Sequence, residues 1–113
     1  MKIEPRIKVM LKIGETTFGP GACHLLEIIN EAGSLSQACE MMNLSYTKGR
    51  KIINKLESQL EEKLVIRRVG GAHGGGCELT DVAHELIRNY RSLEKETKEY
   101  NDHKFNEIFK KDL

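Results

Sequence analysis

Residues 33–60 read GSLSQACEMMNLSYTKGRKIINKLESQL. Gly33 suits the end of one helix, because glycine accepts the left-handed backbone found there. Ser34 restarts the chain: Ser34-Leu35-Ser36-Gln37 fits a capping box, in which the serine hydroxyl takes an amide of the new helix's first turn. The spacing predicts a short helix to about Met42, with Leu35, Ala38 and either Met41 or Met42 facing inward. Asn43-Leu44 makes a tight turn, and Ser45 caps a further helix. There Ile52, Leu56 and Leu60 form an apolar line beside Ile53, while Tyr46, Thr47, Arg50, Lys51 and Asn54 share a polar, cationic face. Two helices joined by a three- or four-residue turn, the second with one greasy and one basic side, decide the reading of the chain.

On the amino-terminal side, Ile7, Val9, Leu11 and Ile13 alternate with Lys8, Met10 and Lys12, the period of a half-buried strand. Residues 14–21 hold three glycines and Pro20 and read as a turn. Pro20 can open a helix, where its missing N–H costs nothing. Ala22, Leu25, Leu26, Ile29 and Ala32 then give a helix face ending at Gly33. On the carboxy-terminal side, residues 64–68 (LVIRR) favour a strand, as does Cys77-Glu78-Leu79, and five of the eight residues between them, from Val69 to Gly76, are glycine. Two short strands around such a loop predict a hairpin. Thr80 caps a last helix, with Asp81 at its positive end. Leu86, Tyr90, Leu93, Thr97 and Tyr100 continue along it at spacings of four and three, a seam suited to a second helix. Helical to about Lys110, it would reach roughly 45 Å, more than a small globule covers, so a second copy is the expected partner. A frayed, charged tail after Tyr100 is the alternative, against which Ile108 and Phe109 speak.

The expected fold is mainly α with a small β component: an amino-terminal strand, a helix-turn-helix, a hairpin wing and a long dimerisation helix. We divide it into a core over residues 1–79 and the helix over 80–113. The 113 residues fit one domain, 39% apolar and 31% charged, which excludes collagen-like and low-complexity chains. No apolar run has membrane-spanning length, and the opening MKIEPR lacks a signal peptide's core, so a cytoplasmic protein without membrane association is expected. Cys23, Cys39 and Cys77 contain no CxxC pair, so neither a disulfide framework nor a metal site is expected. No serine–histidine–aspartate or paired-carboxylate constellation is legible, so no enzyme and no cofactor are expected.

The net charge of +1 hides a division: residues 1–14 carry +3, residues 15–44 carry −4, residues 45–68 carry +4 and residues 69–90 carry −2. A local basic surface beside a helix-turn-helix fits a polyanion. One helix fits the major groove of DNA while the preceding helix lies across the backbone. Ser45, Tyr46, Thr47, Arg50, Lys51 and Asn54 are then the candidate base contacts; arginine can pair with guanine and asparagine with adenine. Ser34, Ser36, Gln37, Lys48 and Lys55 are candidate phosphate contacts, with Arg67, Arg68 and His73 on the wing. A charged His73 would make wing contact pH-dependent. Gly49 reads as a point of close helix approach, and Leu86, Tyr90, Leu93 and Tyr100 as the dimer seam. A dinucleotide loop is excluded for residues 70–76, because a strand rather than a helix follows them.

Gly33-Ser34-Leu35-Ser36-Gln37-Ala38, Leu44-Ser45-Tyr46, Leu56-Glu57, the glycine-rich wing and Leu79-Thr80 together resemble the amino-terminal domain of ModE-type molybdate-responsive regulators. LysR-type winged helices share the Gly-Ser, serine-cap and Leu-Thr positions. The resemblance covers about Ile7 to Tyr90 and implies a winged helix-turn-helix and a homodimer on a palindromic double-stranded DNA operator. Three positions depart from it. Arg50 stands where the family usually has tryptophan, Ala83 replaces a glycine, and with the chain ending at Leu113 the family's oxyanion-binding modules are not expected. Molybdate sensing therefore does not carry over, and a separate effector-binding protein is an open partner. Two other readings stand beside a DNA-binding regulator: a winged-helix protein-interaction module, and a redox or metal sensor using Cys77 with His73 or Cys23 with His24.

Overall fold

A computed structural model of the chain describes residues 1–68 and 76–109. The element order is β1 (Leu11–Ile13), β2 (Thr16–Phe18), α1 (Pro20–Ala32), α2 (Leu35–Met41), α3 (Tyr46–Leu60), β3 (Val65–Arg67), β4 (Cys77–Leu79) and α4 (Asp81–Phe109). The expected helix-turn-helix, the pairing of the two wing strands and the long last helix are all present. The strands form two antiparallel pairs among the described residues: β1 with β2, in register Leu11 to Phe18, and β3 with β4, in register Val65 to Leu79.

The first hairpin corrects the sequence reading at two points. The strand expected from Ile7 is confined to Leu11–Ile13, and the segment read as a turn contains its partner, Thr16–Phe18. Gly14 supplies the reversal at φ +59, a conformation that costs glycine little. Upstream, the Val9 carbonyl accepts a hydrogen bond from the Tyr90 hydroxyl, and Ile7 and Met10 are exposed.

The helix boundaries follow local chemistry. Pro20 stands at the start of α1, and Gly33 ends it at φ +72. The Ser34 hydroxyl accepts from the Gln37 amide and the Ser45 hydroxyl from the Lys48 amide, each at 3.1 Å. Thr80 caps α4 by accepting from the Ala83 amide, while its hydroxyl donates to the Lys63 carbonyl. One core holds these elements together: Phe18, Leu25, Leu26, Ile29, Leu35, Ile53, Leu56, Leu64 and Tyr90 are all buried. Met42, not Met41, turns toward it.

Cys77 lies at the root of the wing and donates its amide to the Gly33 carbonyl at 2.8 Å, tying the second hairpin to the turn before α2. The wing tip, residues 69–75, and with it the candidate contact His73, lies outside the described residues, as do residues 110–113.

The seam on α4 also needs a correction. Tyr90 is 1% exposed and packs edge-on against Phe18, with ring centroids 5.2 Å apart. It is spent inside its own chain and is not a free dimer contact, because Phe18 of the first hairpin and Val9 just upstream of it close over it. Leu86 is half-buried against the same core. Leu93 and Tyr100 remain open, at 44% and 65%. Among the described residues, no helix is long and apolar enough to cross a membrane.

Candidate nucleic-acid interface

The two sides of α3 have opposite fates. Gly49, Ile53 and Leu56 are buried. Tyr46, Thr47, Lys48, Arg50, Lys51, Asn54 and Lys55 are exposed. Gly49 explains how closely α3 approaches α2: a Cβ built there would collide with Sγ of Cys39. The close approach expected at this glycine is therefore present, and it fixes the angle at which α3 is presented.

A groove of about 750 Å³ runs along the exposed face of α3. Its floor includes Tyr46, Thr47, Arg50, Lys51, Asn54 and Lys55, so five of the six proposed base-contact residues meet in one concavity together with one proposed phosphate contact. Ser45 is not among its lining residues; its hydroxyl is engaged at the cap of α3. The other wall is the tip of the first hairpin, Glu15 and Thr16, with Ser58 and Gln59 at the far end of α3. The Glu15 amide donates to Gln59 Oε1 at 2.9 Å, which fastens the hairpin tip to the helix. Sequence reasoning missed this wall. The signal was present as Lys12-Ile13-Gly14-Glu15-Thr16-Thr17-Phe18, two short β-prone runs joined by two residues that begin with glycine.

A second groove, of about 490 Å³, opens between α2, the start of α3 and the wing. Ser34, Ser36, Arg50 and Arg67 line it with Lys63, another residue the sequence reading passed over. Arg50 and Tyr46 border both grooves. Arg68 is placed differently: its Nη2 donates to the Cys77 carbonyl at 3.3 Å, bracing the wing root. Gln37 is exposed on the first turn of α2, outside the linings of both grooves.

Electrostatics separates this surface from the rest. Glu57, on the inner side of α3, accepts from the Leu64 and Val65 amides at 2.8 and 3.2 Å and so locks the helix to the wing. Arg50, Lys51 and Lys55 have no salt bridge among the described residues. A carboxylate held inward beside cations left outward gives a surface that attracts anions.

All three cysteines are buried free thiols. Burial pushes the Cys23 thiol up to about 11 and raises those of Cys39 and Cys77. Such thiols are protonated near neutral pH and pack as small hydrophobes. His24 is exposed, with Nδ1 3.7 Å from a Glu27 carboxylate oxygen. Among the described residues, no three metal-ligating side chains gather.

The family model of bacterial regulatory helix-turn-helix proteins, lysR family, matches residues 21–84. The chain is 39% identical over 70 residues to the molybdenum transport protein ModE of Azotobacter vinelandii, a match covering 62% of this chain and 26% of that protein. It is 35% identical over 92 residues to the transcriptional regulator ModE of Yersinia pestis, covering 80% and 35%. The chain thus spans about a third or less of the length of these relatives. Among solved structures, the CbnR_DBD–DNA complex shares the fold at a TM-score of 0.54 and 20% identity, over 73% of this chain and 88% of that one. ArgP from Mycobacterium tuberculosis does so at 0.52 and 23%, over 69% and 27%. The hairpin Leu11–Phe18 lies before the family match begins.

Proposed function

The chain belongs to the lysR family of bacterial regulatory helix-turn-helix proteins, and from that premise we propose that it is a sequence-specific DNA-binding regulator of transcription acting in the cytoplasm as a homodimer. The likeness to the transcriptional regulator ModE of Yersinia pestis supports the same role. The observation that carries the reading is the two-sidedness of α3. Its inner side is fixed by Gly49, Ile53 and Leu56, and its outer side offers Tyr46, Thr47, Arg50, Lys51 and Asn54 along one open groove.

In this reading α3 enters the major groove, where the arginine and the asparagine meet base edges. Ser34, Ser36, Gln37, Lys48, Lys55, Arg67 and Arg68 face phosphates and set the register. Ser45 orients the start of α3 as its cap and approaches the same DNA strand. The outer half of α4, through Leu93 and Tyr100, pairs two copies so that two α3 helices address half-sites one helical turn apart, about 34 Å. A separate effector-binding protein would act by changing that pairing.

Selection of bound sequences from a random duplex pool, read at two salt concentrations, tests the proposal. A two-fold-symmetric sequence should be enriched, and affinity should fall steeply with salt as counterions are released. A pool that returns no preferred sequence would overturn it.

A further inference from the structure

The groove along α3 has an acidic wall. Of its charged lining residues, Arg50, Lys51 and Lys55 are cationic and Glu15 alone is anionic. Glu15 is exposed, and its carboxylate makes neither a hydrogen bond nor a salt bridge among the described residues. Its place is nevertheless fixed. The backbone amide of the same residue is held by Gln59, and Gly14 before it sits so close to the Gln59 side chain that a Cβ would collide there. The hairpin also precedes the segment matched by the family model.

We infer that the first hairpin forms a second wall of the DNA-binding surface and that Glu15, at its tip, holds down the strength of backbone binding. The inference rests on the DNA-binding reading above. A duplex edge lying along α3 brings phosphates to both walls of the groove. On the α3 side they meet Lys55; at the hairpin wall they meet a carboxylate with no cation bonded to it among the described residues. Like charges this close repel, and the low-dielectric protein wall concentrates the field. The repulsion acts on every duplex alike and leaves the ratio of their affinities unchanged. Binding to random DNA, which has little beyond backbone attraction, is thereby held weak, while base contacts from α3 keep the right duplex bound.

The test compares the full chain with Glu15→Gln, Glu15→Lys and, as a control for net charge alone, Glu99→Gln on the outer half of α4. Each is titrated with the selected duplex and with a scrambled duplex of equal length over a range of NaCl concentrations. Because Glu15 docks through its amide, the substitutions leave the hairpin in place, which unchanged thermal unfolding verifies. Glu15→Gln should bind both duplexes about threefold to tenfold more tightly at low salt. Glu15→Lys should also steepen the plot of log affinity against log salt by about one unit, as a gained phosphate contact does. Glu99→Gln should match the wild type. Equal behaviour of Glu15→Gln and Glu99→Gln, with wild-type DNA binding intact, would overturn this inference and leave the DNA-binding reading standing. Loss of salt-dependent DNA binding in the wild type itself would remove both.

Discussion

The Tyr90 hydroxyl donates to the Val9 carbonyl at 2.8 Å, joining residues 81 positions apart in the chain. The same ring packs edge-on against Phe18, so one side chain of α4 holds the end of the hairpin that walls the groove and the segment just before its start. The two contributions separate by substitution. Tyr90→Phe keeps the ring and loses the hydrogen bond, for a cost of about 1 kcal/mol. Tyr90→Ala empties a fully buried site and should cost about 3–5 kcal/mol. Urea unfolding at neutral pH measures both; equal losses would mean that the ring contributes nothing beyond its hydroxyl.

Gly49 reverses an ordinary helix rule. Alanine in place of a mid-helix glycine usually stabilises by about 1 kcal/mol. Here the new methyl would strike Sγ of Cys39, so Gly49→Ala should destabilise by about 1–3 kcal/mol. Cys39 Cβ and Leu35 Cδ1 lie at 3.8 and 3.9 Å from that methyl position, ordinary contact distances. Removing the sulfur should therefore restore the fit, and Cys39→Ala with Gly49→Ala should be more stable than the sum of the two single changes predicts. A double-mutant cycle on unfolding free energies reads the difference, and simple additivity would refute the packing account.

Much of this was legible in the sequence, for identifiable reasons. Ser34, Ser45 and Thr80 announce helix starts because a hydroxyl before an apolar periodic run has one dominant use, and all three cap their helices. The basic face of α3 was legible because its inner face is periodic. The first hairpin was not, because strands of three residues are too short for a periodicity, and the glycines around them read equally well as a turn. Tyr90 was misassigned to the seam for a related reason. Heptad spacing marks a side of α4 without saying what covers it, and here α1 and β4 pack on its first half while Phe18 and Val9 close over Tyr90.

Arg50 and Lys55 should fail in different ways. Arg50 borders both grooves and is the side chain best shaped to pair with a base edge. Arg50→Ala should cost about 1–3 kcal/mol on the selected duplex and relax preference at one position of each half-site. Lys55→Ala should weaken selected and scrambled duplexes alike and reduce the salt slope by about one unit. Binding isotherms on duplexes varied one base pair at a time distinguish the two. An Arg50 variant that keeps the full wild-type preference would place that side chain away from the bases.

Arg91 clamps α4 to α1. Its Nη2 and Nε donate to the two carboxylate oxygens of Glu27 at 2.8 and 3.1 Å, and its Nη1 to Glu94 at 2.7 Å. The hydrogen bond from Arg91 holds the Glu27 carboxyl below the usual range, against the opposing effect of burial. A carboxyl with a lowered folded-state pKa stabilises the fold above its unfolded pKa, about 4.3, and loses that contribution as pH falls through the folded value. Both side chains are 35% exposed, so solvent screening keeps the effect to about 1 kcal/mol or less. Glu27→Gln should lower the melting temperature at pH 7 and converge with the wild type only once pH has fallen below the lowered folded-state value. A gap that persists unchanged in acid would assign the loss to packing instead.

In the proposed homodimer the outer half of α4 decides the assembly. Leu93 and Tyr100 are exposed and seven residues apart, and Ile108 lies exposed farther along. An apolar series on a helix of 29 residues, beyond the reach of its own core, is stabilised by a matching series on a second copy. Leu93→Glu with Tyr100→Glu should therefore leave the folded chain intact, since neither side chain is buried within it. The same pair of changes places like charges across the proposed two-fold axis. Sedimentation should show the wild type at twice the chain mass and the variant at the mass of one chain. The variant's affinity for the two-fold duplex should fall to that of a single half-site. A wild type that sediments as a single chain at micromolar concentration while bound to no DNA, or a variant that stays dimeric, would move the pairing surface elsewhere on the molecule.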